Sequence, residues 1–227
     1  MVSVVQSKQS TASTSPISVL FDNNLVSGNL IAVVAGEYNS VNAAPETPTI
    51  SGSQSNTWTL LGSSSQNVPT ESVSTYIWYT IAKSGAETVT VTFTGTPFNN
   101  LGVSIHELNG VGDGTNFSAA SSGVGSSTSM TCASTSFPNS SILIAGYITD
   151  NAGSSLSGGT NYTKTGTDTG YSAEYSTTDT SPTTFPMTTS TGIWAGVGAW
   201  FSANSLAAVK FFESGSKRLY RRGNFRR

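Results

Sequence analysis

The sequence predicts an all-β fold, an antiparallel two-sheet β-sandwich of about a dozen strands. Three observations lead to this prediction. Only 10% of the 227 residues are charged, well below the quarter that is usual in globular domains. The 4 Trp, 8 Tyr and 10 Phe lie largely in alternating runs rich in Thr, Ser and Val, a composition typical of stacked strands. Gly and Pro interrupt the chain too often for long helices, and no window has a sustained helical period.

Strand candidates recur along the whole chain, and turn residues separate them. In the first half, strands are expected at residues 2–6, 17–21, 29–38, 57–61, 75–82, 88–94 and 103–108. In the second half, they are expected at residues 129–134, 142–149, 162–165, 172–177, 193–203 and 207–212. Because no strand alternates with a helix, antiparallel sheets packed face to face are the expected arrangement.

The second half of the chain echoes the first in the order of its strand patterns. The similar segments are 29–38 and 141–149, 56–62 and 161–166, 76–81 and 171–175, and 101–108 and 192–200. Each half can therefore be one Greek-key-like series of strands, and two such series in one sandwich follow the jelly-roll plan. Convergent strand patterning is the alternative explanation of the echo.

Charge divides the chain into an acidic body and a basic tail. Residues 1–209 contain 11 acidic residues and 3 lysines, whereas residues 210–227 contain 7 basic residues and only one acidic residue, Glu213. This asymmetry predicts a jelly-roll-like sandwich domain at 1–209 and a docking tail at 210–227. Cys132 is the only cysteine, so an intrachain disulfide is excluded.

The N-terminal residues lack the basic and apolar regions of a signal peptide, and no segment is apolar for long enough to span a membrane. We therefore expect synthesis in a cytoplasm, release by another route such as lysis, and no membrane partner.

Four runs resemble a known group of proteins: S-G-N-L-I-A-V-V-A (27–35), S-Q-S-N-T-W-T-L-L (53–61), Y-I-W-Y-T-I-A-K-S-G-A-E-T-V-T-V-T-F-T-G (76–95) and V-S-I-H-E-L-N-G-V (103–111). They are similar to Ser/Thr-rich β-sandwich domains of phage structural proteins and bacterial surface proteins. The resemblance covers most of residues 1–203 and includes no catalytic motif, so it implies a structural or adhesive role. Surface-anchored members normally carry a signal peptide and an anchor, which favours the phage group here.

The titratable residues do not predict a catalytic site. His106 is the only histidine, and it is expected to be hydrogen-bonded or solvent-facing, with Glu107 on the opposite face of its strand. There is no G-x-S-x-G motif around a serine nucleophile. Glu107 and Glu174 lie on strands that could meet, as the carboxyl pair of a glycosidase must, but nothing in the sequence brings them together. We predict no enzyme activity and no cofactor.

Metal sites are not predicted either. The loops at Asp113 and Asp150 are rich in oxygen ligands suited to calcium, yet Asp-Gly and Asp-Asn are ordinary turn residues first. The chain has no Cys/His cluster for zinc.

Aromatic residues alternate on two strand candidates. Trp194 and Trp200 share one face of residues 193–201 with two glycines, and Trp78 shares a face of residues 75–82 with Tyr76. Flat aromatic slots can hold sugar rings, so Trp194, Trp200 and Trp78 are candidate glycan-binding residues. The alternative, which we favour, is a core with both faces covered, in which the glycines leave room for bulky neighbours.

The tail interleaves cations with aromatic residues and is expected to dock on a partner. The docking residues are Lys217, Arg218, Tyr220, Arg221, Arg222, Phe225, Arg226 and Arg227. Arginine binds carboxylates and phosphates in the same fork geometry, so its presence does not choose between protein and nucleic acid. An acidic body repels DNA, which favours a protein partner: capsid subunits, tail subunits or other copies of this chain in an oligomer.

Together these features predict a non-enzymatic phage virion protein, most consistent with a capsid decoration or cement protein held by its arginine-rich tail. The alternative is a carbohydrate-binding or adhesion module, in a tail fibre or surface protein, that uses exposed aromatic residues.

Overall fold

The structure is a computed structural model that describes residues 2–41, 46–94, 98–111, 121–133, 141–151, 156–159, 161–166, 169–176, 184–189 and 192–203. Every regular element in these ranges is a β-strand, and every strand pairing is antiparallel. The same ranges contain no helix of the length and apolarity that crossing a membrane requires. The all-β, antiparallel sandwich predicted from the sequence is confirmed.

The first half of the chain forms two sheets. Its strands are β1 (Ser3–Ala12), β2 (Ile17–Leu20), β3 (Leu30–Asn39), β4 (Thr49–Gly52), β5 (Thr59–Val68), β6 (Glu71–Ile81), β7 (Thr88–Thr92) and β8 (Phe98–Asn109). The first inner sheet has the order β1-β8-β3-β6-β5, and the first outer sheet has the order β2-β7-β4.

The second half repeats this plan with shorter strands. They are β9 (Ser121–Gly125), β10 (Ser129–Ala133), β11 (Ile142–Thr149), β12 (Ser157–Gly158), β13 (Thr163–Lys164), β14 (Tyr171–Ser176), β15 (Thr184–Thr188) and β16 (Trp194–Phe201). The second inner sheet has the order β13-β14-β11-β16-β9, and the second outer sheet has the order β10-β15-β12.

The two halves share one topology, strand for strand. In each, the first strand pairs with the eighth, the second with the seventh, and the third with both the sixth and the eighth, as in a jelly roll. The segments that echo each other in sequence fall on equivalent strands: β3 and β11, the starts of β5 and β13, β6 and β14, and β8 and β16. The structure adds that each half forms a pair of sheets of its own.

Four layers stack because the two inner sheets pack face to face and each outer sheet covers the far side of its own inner sheet. The first outer sheet packs on Ile31 and Val33 of β3. On the other face of β3, Leu30, Ala32 and Val34 pack against the second half. Both faces are thus covered, which explains why β3 is a continuous apolar run.

A twofold relation connects the halves. In the stack, β3 lies over β11, β6 over β16 and β5 over β9, so the two inner sheets meet with their strand orders reversed. A Cβ added to Gly146 would overlap Cγ1 of Val34, and one added to Gly36 would lie 3.0 Å from Cβ of Ile148. These two pairs have the same sequence offset. Equivalent positions therefore face each other across an axis that runs along β3 and β11, and a small residue on one side receives a larger one from the other.

Tyr171 of β14 fastens the two halves together. A Cβ at Gly102 would overlap its ring and one at Gly36 would lie 3.0 Å from it; these two glycines pair directly in the first inner sheet. The Tyr171 hydroxyl donates to the carbonyl of Val34 at 2.9 Å and lies 3.2 Å from Ser104 Oγ. Only glycine leaves room for an aromatic ring to lie directly on the backbone of a neighbouring sheet.

Four strands had no counterpart among the strand candidates: β4, β9, β12 and β15. β12 has only two residues and β9 is Ser-Ser-Gly-Val-Gly, so neither has the β-branched alternation that marks a strand. β15 contains Pro186, which argues against a central strand. At Pro186, however, β15 pairs only with Thr131 of β10, since β12 reaches no further than Met187. The strand predicted at 207–212 lies outside the described residues.

Candidate functional site

The predicted docking residues of the tail, from Lys217 to Arg227, lie outside the described residues, as does the loop of Asp113. The remaining candidates can be placed. They fall into three groups: the tryptophans, the buried titratable side chains, and a groove at one end of the first inner sheet.

The tryptophans belong to the cores. Trp78 and Trp194 are only 3% and 4% exposed, and Trp200 is partly buried in the second-half core. Trp78 stacks on Tyr76 with ring centroids 5.6 Å apart. A Cβ at Gly196 would overlap the ring of Tyr147, so this glycine makes room for a neighbour, as the core interpretation predicts. The rings of Trp78 and Trp194 do not form an open sugar platform.

His106 differs from its expectation of a hydrogen-bonded or solvent-facing side chain. It is fully buried, and neither ring nitrogen has a hydrogen-bond partner among the described residues. Its ring meets that of Tyr175, in the second half, edge to face at 6.0 Å. Burial lowers the pKa of His106 to about 3, so the imidazole is neutral in ordinary buffers and packs as an aromatic ring between the halves.

Glu107 points away from His106, as alternation along a strand predicts. Its carboxylate is fully buried and accepts three hydrogen bonds, from Val26 N at 2.9 Å, Asn29 Nδ2 at 2.7 Å and Gln6 Nε2 at 2.7 Å. The first two partners lie in the segment between β2 and β3. Glu107 thus fixes that connection to β8, and its three donors all lie within the first half.

Glu174 lies in the second half and shares no hydrogen-bond partner with Glu107. It is fully buried; Oε2 accepts from Gly159 N at 3.0 Å, while Oε1 has no partner in the described part of the chain. Burial raises the pKa of Glu174 to about 8, so the acid is largely protonated at neutral pH. The two carboxyls that a glycosidase would need to face each other occupy separate environments.

Two more buried carboxyls were not singled out from the sequence. Glu37 accepts from Ser74 Oγ at 2.6 Å, and Glu87 accepts from Gln54 N at 3.3 Å and Asn56 Nδ2 at 3.2 Å. Desolvation raises the pKa of both. The burial of Glu37 could have been predicted from the sequence. Glu37 continues the apolar run of β3, and an acidic residue within such a run is buried along with its strand.

Asp150, one of the two calcium candidates, lies where the halves meet. Its carboxyl lies close enough to that of Glu71, from the first half, for the two to interact electrostatically, and it accepts from Thr149 Oγ1 at 3.1 Å. Tyr38 donates to Glu71 Oε2 at 3.2 Å. Burial and the charge of Asp150 raise the pKa of Glu71. Among the described residues, no group of three or more His, Cys, Asp or Glu side chains could hold a metal ion.

A shallow groove of about 350 Å³ lies where β6 extends beyond the start of β5. Ser55, Thr57 and Thr59 form one wall and are exposed, and the half-buried ring of Tyr79 and the exposed Lys83 form the other. Its lining is dominated by hydroxyl groups. We call this feature the β5–β6 groove.

The loop beside the β5–β6 groove is held tightly. Lys83 Nζ donates to the carbonyls of Gln54 at 2.9 Å and Ser55 at 3.0 Å. Gln54 Nε2 donates to the carbonyls of Ala86 at 2.8 Å and Ser84 at 3.2 Å. Glu87 binds the same loop from below through Gln54 N and Asn56 Nδ2. These bonds join residues 54–56 to residues 83–87 as one rigid unit.

Neither a protein-family model nor a curated protein matches the sequence of this chain.

Proposed function

We propose that this chain is a non-enzymatic structural protein of a phage virion, a capsid decoration or cement protein docked through residues 210–227. The observation that carries the proposal is the separation of the three side chains that the sequence offered as catalytic candidates. His106, Glu107 and Glu174 are each enclosed in a different part of the cores, whereas acid–base and nucleophilic catalysis need such groups side by side around a cleft.

The fold supports a role in presenting a surface. Jelly rolls serve as capsid and lectin domains, although a fold alone does not determine a function. Among the described residues, the central strands β3 and β11 are covered on both faces, whereas β1 and β5 at the edges of the first inner sheet contribute to the accessible surface. A Ser- and Thr-rich exterior of this kind suits display on a particle.

The tail is the proposed anchor. With a body that carries 11 acidic residues and 3 lysines, the natural counterpart for seven basic residues is an acidic protein surface, either a capsid or tail subunit or the body of another copy. Oligomer formation or incorporation into a larger assembly follows from such a contact.

The copy number of the chain in purified particles from its source tests the proposal. Quantitative mass spectrometry should find hundreds of copies per particle if the protein coats a capsid. A few copies would transfer the proposal to a tail or fibre position. Its absence from particles would contradict a virion role.

Removing residues 214–227 tests the anchor. The truncated protein should keep the far-UV circular dichroism of the intact chain and lose its retention on particles during sedimentation. A full-length variant with all five tail arginines changed to glutamine serves as the matched control for chain length and should also be lost. Retention of both variants would refute docking through the tail.

A further inference from the structure

We propose that the β5–β6 groove binds a neutral sugar unit of a glycan. Such a site goes beyond the virion role proposed above, because a particle-bound protein would use it to engage a cell surface or another glycan-coated surface. The proposed sugar site includes no residue of the tail and none of the tryptophans.

The lining of the groove has the two kinds of surface that a pyranose ring presents. A sugar offers hydroxyl groups at its edge, which both donate and accept hydrogen bonds, and an apolar C–H face. Ser55, Thr57 and Thr59 supply hydroxyls that can both donate and accept, and the ring of Tyr79 supplies an aromatic face with a polar tip. A volume of about 350 Å³ is at the small end of the range for ligand sites and suits one or two sugar units.

The groove is organised in advance of any ligand. Sugars gain little from each hydroxyl contact, because every bond formed replaces one to water, so a loop that had to be ordered on binding would cancel the gain. The bonds from Lys83, Gln54 and Glu87 described above already hold the wall at residues 54–56. Binding a sugar therefore does not have to order this wall.

Ser55 has a backbone conformation that favours this interpretation. Its φ angle is 53°, in the left-handed region that a non-glycine residue rarely adopts, and such strain concentrates where a loop has a role beyond connection. A serine at this position adds a hydroxyl at the wall of the groove, where glycine would relieve the strain and add nothing.

The charges of the groove select a neutral ligand. Among the described residues, Lys83 is the only basic residue that lines the groove, and its ammonium group already donates to two backbone carbonyls. A phosphate or sulfate group would need more cationic donors than this. Ile81 and the half-buried Tyr79 ring give the groove apolar surface beside its hydroxyl groups.

Saturation-transfer NMR on the intact protein tests the site, with a panel of neutral hexoses, N-acetylhexosamines and their disaccharides at millimolar concentration. At least one sugar should give a transfer signal that saturates. Tyr79→Ala should weaken its binding by at least about tenfold, as loss of an aromatic face does. Ser55→Gly, which suits the positive φ and removes the hydroxymethyl group, should weaken it by a smaller factor.

Tyr175→Ala is the matched control, because Tyr175 occupies the equivalent strand position in the second half and lies against His106. It should bind the sugar as the parent protein does. If Tyr79→Ala fails to fold, as judged by circular dichroism, Ser55→Gly decides the matter. No signal from any sugar, or equal binding by the parent, Tyr79→Ala and Ser55→Gly proteins, would overturn the proposal without affecting the virion role.

Discussion

At the scale of single residues, two buried glutamates, one in each half, have opposite roles. Glu107 and Glu174 are both fully buried, but Glu107 accepts three hydrogen bonds whereas Glu174 accepts one. A buried carboxylate is stable only when donors replace its water. Glu107 therefore contributes to the fold as an acceptor, and Glu174 is tolerated as a neutral acid.

This difference predicts a pH dependence. Because the pKa of Glu174 is raised from 4.5 to about 8, the folded state binds its proton more tightly than the unfolded state does. The stabilisation is complete below about pH 4.5 and is lost as the pH rises to about 8, on the order of 4 kcal/mol in all. Glu174→Gln mimics the neutral acid, so it should flatten this fall and make the protein more stable than the parent at pH 8.

Urea unfolding at pH 5, 7 and 8.5 measures the effect. Glu107→Gln is the control: its amide nitrogen cannot accept from the donors around it, so stability at pH 7 should fall by roughly 1–3 kcal/mol. Glu37 and Glu87, whose pKa values are also raised, should leave a smaller slope in Glu174→Gln. An unchanged slope would show that Glu174 is ionised in the folded protein.

For His106 and Glu107, the sequence predicted correctly that the side chains face opposite sides of the strand, but it did not predict that both are buried. Alternation placed His106 and Glu107 on opposite faces, and this is confirmed. It did not reveal that both faces are covered, because a period of two shows that faces differ but not what lies against each. His106 is buried because Tyr175 of the second half covers its ring.

At the scale of elements, complementary pairs across the inner sheets set how β3 meets β11. Gly146 leaves the space that Val34 fills, and Gly36 leaves the space near Ile148 and Tyr171. Packing of this kind fixes the position of one strand over another more strongly than apolar character does, since a misplaced methyl group meets backbone.

Gly146→Ala should therefore destabilise the protein by about 1–3 kcal/mol through overpacking against Val34. Val34→Ala alone should cost about as much through the cavity it leaves. The double variant should recover part of the loss, because the new methyl group enters the space vacated by Val34. Denaturant midpoints of the four proteins give the coupling directly; strictly additive losses would mean that the two side chains do not meet.

Elements with long apolar or alternating runs were predictable from the sequence, including β3, β6, β8, β11 and β16. The missed strands depend on neighbours instead. β12 and β15 pair through backbone groups along the second outer sheet, and β9 pairs with β16 although its residues are small. β9 and β12 consist of Ser, Gly and Val, which offer few side chains for packing. β15 contains Pro186, which has no N–H to donate to a neighbouring strand.

At the scale of the whole molecule, the halves depend on each other. Apolar side chains from both inner sheets form one cluster, among them Leu30, Val34, Ile77, Ile144 and Val197. Gln9 crosses the same boundary, since its side-chain oxygen accepts from Ser104 Oγ at 2.9 Å in the first half and from Ala173 N at 3.2 Å in the second. Separation would expose this cluster and break these bonds. The echo in the sequence showed that strand patterns recur; it could not show that the recurring strands close into two pairs of sheets.

We expect the protein to unfold in a single transition. Trp58 and Trp78 lie in the first half, and Trp194 and Trp200 lie in the second. In a variant with the first pair changed to phenylalanine, fluorescence therefore reports on the second half. In the variant with the second pair changed, fluorescence reports on the first half. In each, the fluorescence midpoint in urea should coincide with that of circular dichroism in the same protein, because loss of one half exposes the apolar cluster that the two inner sheets share. Separate midpoints would show that the halves are energetically independent.

The twofold packing of β3 on β11 determines how the paired halves behave when the protein is diluted. Two jelly rolls held together by such a face as separate chains would dissociate as their concentration fell, whereas here each half carries its counterpart on the same polypeptide, joined through the short stretch between β8 and β9. The tether holds the local concentration of the counterpart near the millimolar range however few molecules are present. A protein of this design keeps its paired form as a single isolated copy.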